Sequence, residues 1–281
     1  MAKGKKQQSK PSMADLADRH VLYQEAVQAP ETEVAFLVDT YRQLRGKEPL
    51  SVREDFCGTA HFAAEWCKSA PRRTAIGVDI DTETLDWGRR HNLEPAGADV
   101  AGRVTLLNAD VRDIREPKVD IACAFNFSYC LFETREELRN YFRLVREGLH
   151  ADGLMVLDLY GGTACYDASE EETELEENDA TYIWQQVRFN PINHHMDCAI
   201  HFEFPDGSRL DEAFTYSWRL WTLPEIIELL KEAGFTRVRV YWERFEEDAD
   251  DEDYLEGTGE YYETDEVENQ ESWVSYIVAE V

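Results

Sequence analysis

Basic residues are what this 281-residue chain most lacks. Lys and Arg number 29 against 58 Asp and Glu, a formal net charge of −29. A nucleic-acid footprint needs a Lys/Arg surface able to displace counterions, and the one basic cluster here is the N-terminal MAKGKKQQSK, so a DNA or RNA partner is not expected. Long apolar runs are also missing. Nothing reaches 18 consecutive apolar residues and the N-terminus has no apolar signal-like stretch, which points away from a membrane and toward a cytoplasmic address. The six cysteines (Cys57, Cys67, Cys123, Cys130, Cys165, Cys198) show no C-x-x-C spacing and suit buried thiols better than disulfides or zinc ligands, so no metal is expected. No internal repeat is visible, and no feature bears on oligomeric state.

What is present is ample for a core: 43% hydrophobic and 12% aromatic residues. The acid is concentrated. Residues 170–179 hold seven acids and residues 246–271 fourteen, with no base in either, so the remainder carries 37 acids against 29 bases. Residues 1–12 read as a disordered basic tail. Residues 13–27 and 31–44 read as two helices, with Pro30 in a first turn. From 47 to 160 short apolar runs alternate with helical segments, the pattern of an open doubly wound α/β sheet. Over 161–221 the period changes to strict alternation around an Asp206-Gly207 turn, an antiparallel β insertion. Residues 222–233 form a helix with Thr222 at the cap, and the sheet resumes to the C-terminus, leaving 246–271 as a solvated acidic loop inside the domain formed by 13–160 and 222–281.

In such sheets ligands bind beyond the carboxyl ends of the strands. Four strand ends stand out. Glu54-Asp55-Phe56-Cys57-Gly58-Thr59-Ala60 runs straight into a helix, and Asp79 follows Gly58 by 21 residues, a spacing suited to a carboxylate that accepts ribose hydroxyls. Asn108-Ala109-Asp110-Val111 and Phe125-Asn126-Phe127-Ser128-Tyr129 complete the set. The bland alternatives are a turn role for Cys57, a helix cap for Asp81 and solvated strand-end carboxylates for Asp79 and Asp110.

This order resembles the class I S-adenosylmethionine-dependent methyltransferases, and the stretches REDFCGTA, GVDID, AFNFSY and VLDLYGG are similar to a bacterial group within them. The resemblance implies a Rossmann-like seven-stranded sheet of order 3-2-1-4-5-7-6, S-adenosylmethionine as cofactor and a small-molecule substrate. Residue by residue, it implies Glu54 as the acid of the first motif and Cys57, Gly58 and Thr59 around the methionine moiety. Asp79, with Ile80 beside it, would hold the ribose; Asp110 and Val111 would meet the adenine. Asn126 would lie near the methyl group and the cofactor's amino-acid end, and Phe127 beside it is also expected to bind the cofactor. Phe56 and Ala60 stand where the family pattern has its first and third glycines. Asn126-Phe127-Ser128-Tyr129 matches at two of four positions the motif of amino-group methyltransferases, leaving N- and O-methylation both open. Tyr23 falls in the region that folds over the cofactor in such relatives, where its ring could face the sulfonium, or it packs in the core.

The insertion reads as a substrate lid. Phe214, Tyr216 and Trp218 point one way, Thr215, Ser217 and Arg219 the other; Ile200, Phe202 and Phe204 oppose Ala199, His201 and Glu203. Either the polar face lines the pocket, with Arg219, His201 and Arg188 binding an anionic group near Tyr160, or it faces solvent. Asn126, His201 and Tyr23 are the catalytic candidates on residue type. Three other readings remain: an aminopropyltransferase of the same sheet, a nicotinamide oxidoreductase, to which Phe56 and Ala60 are ill suited, and a non-catalytic binding module, which predicts an occluded pocket.

Overall fold

The computed structural model describes residues 10–247 and 255–281. Residues 1–9 of the expected tail lie outside the described residues. Ser12 already belongs to the fold, capping α1 (Met13–Leu16) through a reciprocal box with Asp15. The first expected helix is broken, because Ala17 leaves helical geometry and Asp18 caps a second segment, α2 (Arg19–Val27). α3 (Pro30–Arg45) follows, with Pro30 at its first turn and Gly46 at φ +68 closing it.

Strand and helix then alternate: β1 (Ser51–Asp55), α4 (His61–Ser69), β2 (Thr74–Asp79), α5 (Thr82–Gly88), the single-turn α6 (Ala98–Ala101), β3 (Val104–Asn108), β4 (Val119–Ala124), α7 (Arg135–Glu147) and β5 (Leu149–Gly161). The helix expected to reach His91 ends earlier and continues as a π-helical turn, Arg89–Leu93. The insertion contributes β6 (Ser169–Leu175), β7 (Ala180–Asn190), β8 (His195–Glu203) and β9 (Arg209–Arg219). The chain returns through α8 (Leu223–Glu232), β10 (Arg237–Glu247), β11 (Leu255–Glu263) and β12 (Trp273–Glu280).

The large sheet has eight strands in the order β11-β10-β12-β5-β4-β1-β2-β3. Its first seven positions from β3 inward reproduce the expected order, β12 and β10 being the seventh and sixth strands. The correction is β11. Residues 255–263, expected as solvated loop, pair antiparallel with β10 from Tyr241↔Glu263 to Glu247↔Leu255 and add an edge strand; residues 248–254 lie outside the described residues. The acidic run at 170–179 likewise enters β6 along the edge of the four-stranded sheet β6-β7-β8-β9. An edge strand needs only one hydrogen-bonded side, so its acids stay in water while its backbone pairs, and the charge discourages further strand addition.

Apolar clusters fill both faces of the large sheet. On one, Leu138, Tyr141, Phe142 and Val145 of α7 and Ile226, Leu229 and Leu230 of α8, at helical spacing, cover Ala122, Met155 and Leu157. On the other, Leu37 and Tyr41 of α3 and Phe62, Ala63 and Trp66 of α4 cover Val52, Ile121 and Val156. Thr134 with Glu137 and Thr222 with Glu225 form capping boxes that start α7 and α8. Across β1 and α7, Arg53 Nη2 donates to Asp55 Oδ2 at 3.0 Å and its Nε lies 2.9 Å from Oδ1, while Tyr141 Oη donates to Asp55 Oδ2 at 2.8 Å. Both charged residues are 1% exposed.

Removing one member of this pair strands the other charge. Arg53→Met should therefore cost about 3 kcal/mol or more in urea unfolding, whereas Arg143→Ala, which breaks the exposed pair with Glu147 on α7, should cost under about 0.5 kcal/mol. Equal midpoint shifts would contradict the assignment of Arg53–Asp55 as a structural pair.

Candidate active site

The carboxyl ends of β1, β2 and β4 meet beneath the insertion. Alternation along β1 turns Arg53 and Asp55 toward α7 and leaves Glu54 facing the cleft, which settles which acid of the turn is available there. Phe56, Gly58 and Ala60 all hold positive φ, at 61°, 50° and 56°. The two non-glycine residues thus keep the left-handed conformation of the glycines they replace, at a cost of about 1–2 kcal/mol each. The surroundings hold them there: the Phe56 ring packs on Phe132 and Tyr141 at 6.1 and 5.9 Å between centroids, and Ala60 is fully buried.

Backbone amides of the turn point at Asp79. Gly58 N donates to Asp79 Oδ2 at 2.8 Å and Asp81 N to Oδ1 at 2.8 Å. Asp81 caps α5 through the amides of Glu83 and Thr84, the plainer of its two readings. The turn is clamped from outside. Gln24 Nε2 of α2 donates to Thr59 Oγ1 at 2.7 Å, Asn92 Nδ2 donates to Thr59 O at 2.8 Å, and α5 approaches so closely that a Cβ on Gly88 would sit 2.2 Å from Thr59 O. Cys57 is buried with its Sγ against Gly77, a packing position.

Two joined compartments result. The first, about 290 Å³, is lined by Glu54, Cys57, Gly58, Thr59 and Asp79 of the strand-end turns and by Tyr23, Asn126, Phe214, Tyr216 and Trp218 from above. The second, about 190 Å³, shares Tyr23, Asn126, Tyr216 and Trp218 with it and continues to Phe127, Tyr160, Tyr182, Trp184 and Glu171. An occluded pocket, the expectation of the non-catalytic reading, is not what this end of the sheet presents. Asn126 and Phe127, at φ 54° and 55°, form the turn after β4, and their amides donate to Asp158 Oδ2 and Oδ1 at 2.6 and 3.0 Å.

Several expected residues fall elsewhere. Phe127 faces the second compartment, with its ring on Tyr160 at 4.8 Å, rather than the first. Ile80 is 76% exposed and does not line the cleft. Asp110 caps the short 3-10 turn Val111–Asp113 and is held by the Arg112 guanidinium, with Oδ1 2.9 Å from Nε and Oδ2 2.6 Å from Nη2, while Val111 is buried in the core.

The lid corrects the expectation for Arg188, His201 and Arg219. Pairing places Trp184, Ile200 and Phe214 in one row and Gln186, Cys198 and Tyr216 in the next, on the face turned to α2 and the cleft. The opposite face carries Arg188, Asp197, Ser217 and His195. Arg188 is exposed and paired with Asp197; Arg219 pairs with Glu225 at 2.8 Å and lies over the Trp221 ring at 3.7 Å. His201 is buried behind the cleft, its Nδ1 accepting from Glu212 N at 3.0 Å and its Nε2 3.2 Å from Gln185 Oε1. The physical reason is burial: the aromatic face needs cover, and only the cleft and α1–α2 supply it. The residues that sequence reasoning did not connect to the cleft, Tyr182, Trp184, Phe214, Tyr216 and Trp218, were readable as one face of a sheet, but not as the face turned inward.

The cleft floor is electrically unusual. Glu54 is buried, and burial first, then the charges of Glu33 and Asp79, hold its carboxyl well above the usual range. Burial and then Asp158 push Glu33 up to about 8. Burial pushes Asp158 up to about 7 against the lowering effect of the Phe127 and Asn126 amides, and it raises Asp79 against those of Asp81 and Gly58. Tyr23 is pushed up to about 12 by burial, with Tyr216 beside it lowering it in part, and so is no base near neutral pH. Asp110 goes the other way, lowered by Arg112.

No protein-family profile matches the sequence, and no curated protein matches it. Solved structures do match in shape. A S-adenosylmethionine-dependent methyltransferase from Clostridium acetobutylicum ATCC 824 superposes with TM-score 0.66 at 15% identity, covering 92% of this chain and 96% of its own. DesVI of Streptomyces venezuelae gives 0.66 at 17% identity over 96% and 99%. CalS10, an amino pentose methyltransferase from Micromonospora echinaspora, gives 0.65 at 15% identity over 93% and 95%. At these identities the likeness speaks for architecture: the chain has the Rossmann-like fold of S-adenosylmethionine-dependent methyltransferases, with a mixed sheet and a separate antiparallel sheet.

Proposed function

We propose that the chain is a S-adenosylmethionine-dependent methyltransferase acting on a small molecule at nitrogen or oxygen. One observation carries the reading: Glu54 Oε2 is buried at the cleft with no hydrogen-bond partner, beside a turn whose amides and strand-end carboxylate are spaced for a nucleoside. An orphaned buried carboxylate oxygen fits a ligand that brings its own positive charge. S-adenosylmethionine has an ammonium and a sulfonium, and when bound it supplies the activated methyl group. Glu54 would take the ammonium, Gly58 and Thr59 would flank the amino-acid portion, and Asp79 would accept from the ribose hydroxyls. Tyr23 and Asn126, at the junction of the two compartments, would border the methyl group.

The chain's own task is then alignment in a water-poor space. Transfer of a methyl group in line needs the nucleophile held close to the methyl carbon, and the aromatic wall of Phe214, Tyr216 and Trp218 would keep water from that line. The sheet-end turn, the α2 clamp on Thr59 and the insertion are all parts of this enclosure. His201, outside the cleft, has no part in it; Tyr160 and Phe127 belong to the substrate side. The fold of an amino pentose methyltransferase over nearly the whole chain supports a small acceptor.

Two outcomes follow. Isothermal titration with S-adenosylmethionine should show binding that Asp79→Ala weakens by about 30-fold, the loss expected for charge-assisted hydrogen bonds, whereas unchanged affinity would remove Asp79 from the site. Burial, with Glu33 and Asp79 nearby, holds the Glu54 carboxyl above its usual range in the ligand-free protein, and a cation seated against it should draw that titration down, with proton release at pH values between the two. Over that range the binding enthalpy should vary with the ionisation enthalpy of the buffer, affinity should rise with pH, and Glu54→Gln should reduce both effects. The sign for stability is opposite. The folded state keeps protons on Glu33 (about 8) and Asp158 (about 7) that the unfolded chain sheds above about 4.5, so ligand-free stability should fall from pH 5 to pH 8, and Glu33→Gln should flatten that slope.

A further inference from the structure

The second compartment is a box of aromatic faces. Tyr216 and Trp218 lie 4.3 Å apart between centroids, Trp184 stands 6.0 and 6.3 Å from them, and the Phe127–Tyr160 pair closes the far side at 4.8 Å. Tyr182 and Tyr23 add two more rings. Trp184, Tyr182, Tyr216, Phe127 and Tyr160 are each only half-buried, so part of their surface remains open toward the cavity. Among the described residues no Lys, Arg or His lines it. Its one charged wall residue is Glu171. Of the glutamates in β6, alternation turns Glu171 inward, since it pairs with Trp184 and shares its face, while Glu170, Glu172 and Glu174 face away.

Aromatic faces carry negative quadrupole potential and attract cations, above all alkylated ammonium groups that are too weakly hydrated to prefer water. A carboxylate at the rim adds to the same potential, and an anionic substrate would meet both. We infer that the acceptor is an amine, methylated at nitrogen, whose ammonium form and more highly methylated product are held by the Trp184–Tyr216–Trp218 box with Glu171 at its rim. This rests on the methyltransferase reading above and names its substrate class. It also replaces the anionic substrate expected from Arg188, His201 and Arg219, which stand on the other face of the lid.

The chemistry agrees with the titratable groups present. An alcohol needs a base to remove its proton during attack, and burial holds the hydroxyls of Tyr23, Tyr160, Tyr182 and Tyr216 above their ordinary value; among the described residues no imidazole lines the compartment, and its carboxylate, Glu171, is exposed to solvent at the rim. An amine bound as its ammonium first gives a proton to solvent, and the free amine so formed needs no base during attack. Its lone pair forms the C–N bond as the S–CH3 bond breaks with both electrons left on sulfur, so positive charge passes from sulfur to nitrogen. A primary or secondary amine then gives its N–H proton to solvent. The box receives the charge where it appears, at the nitrogen.

The test is titration of the protein saturated with S-adenosylhomocysteine, using choline as the cationic probe and 3,3-dimethylbutan-1-ol as its neutral isostere. Choline should bind at least about tenfold more tightly; Trp184→Leu should lower its affinity about tenfold and Glu171→Gln about threefold, with S-adenosylhomocysteine affinity unchanged in both. Equal affinity for the two probes, preference for the alcohol, or binding of neither at millimolar concentration would overturn the amine assignment. S-adenosylhomocysteine is titrated first. If it fails to bind, the methyltransferase reading itself falls; if it binds and choline shows no advantage, only the amine inference falls. The exposed Glu171→Gln variant keeps the test valid should Trp184→Leu unfold.

Discussion

Buried carboxyl groups with no cation beside them, at the carboxyl ends of the strands, are the constraint on which the site depends. Glu33, Glu54, Asp79 and Asp158 converge there, and among the described residues none of the four forms an ion pair. Burying one carboxylate without a partner already costs several kcal/mol, so the ligand-free protein keeps part of the cluster protonated. The arrangement is maintained by the fold: β1 places Glu54, α3 brings Glu33, β2 ends in Asp79, and Asp158 of β5 is engaged by the turn after β4. A cluster of this kind costs stability in the ligand-free chain, and a cation received there would relieve that cost. That is the physical ground on which the proposed cofactor rests.

Around this floor the enclosure is built by two separate devices. The α1–α2 segment lies on the apolar face of the small sheet and reaches down to the first turn, with Met13 N on Asp206 Oδ2 at 2.9 Å, Trp87 Nε1 on Asp18 Oδ2 at 2.7 Å and Gln24 on Thr59. The small sheet supplies the aromatic roof. Both are needed because the strand ends alone form an open crevice, and a reaction that water could intercept needs that crevice dry. The acids of β6 stay in solvent on one side of the roof, while Glu171 alone among them borders the cavity.

Much of this was legible in the sequence because it depends on local rules. The four strand-end turns, the caps at Asp81 and Thr222, Pro30, the Asp206-Gly207 hairpin and the alternation of the insertion are set by residue type and period. What the sequence did not show depends on tertiary choice. Nothing local says that an edge strand such as β11 forms within an acidic stretch, since its pairing is decided by the exposed edge of β10. Nor does alternation say which face of a sheet turns inward: Arg219 and His201 looked like ligands because they are polar, yet the inner face is the aromatic one. Asp110 and Ile80 sit at the expected strand ends, but Asp110 is taken by Arg112 and Ile80 points outward. Phe56 and Ala60 show the converse, a motif departure that leaves the backbone path unchanged.

Burial holds the Glu54 carboxyl above its usual range until a cation enters the cleft. Difference infrared spectroscopy followed over a pH series reads that titration in place, with Glu54→Gln used to assign the band. Adding S-adenosylmethionine should move the conversion of the protonated carboxyl C=O band into a carboxylate band to lower pH, and this movement should be missing in the variant. A Glu54 band that titrates at the same pH with and without saturating ligand, or in the ordinary carboxylate range in the ligand-free protein, would contradict it.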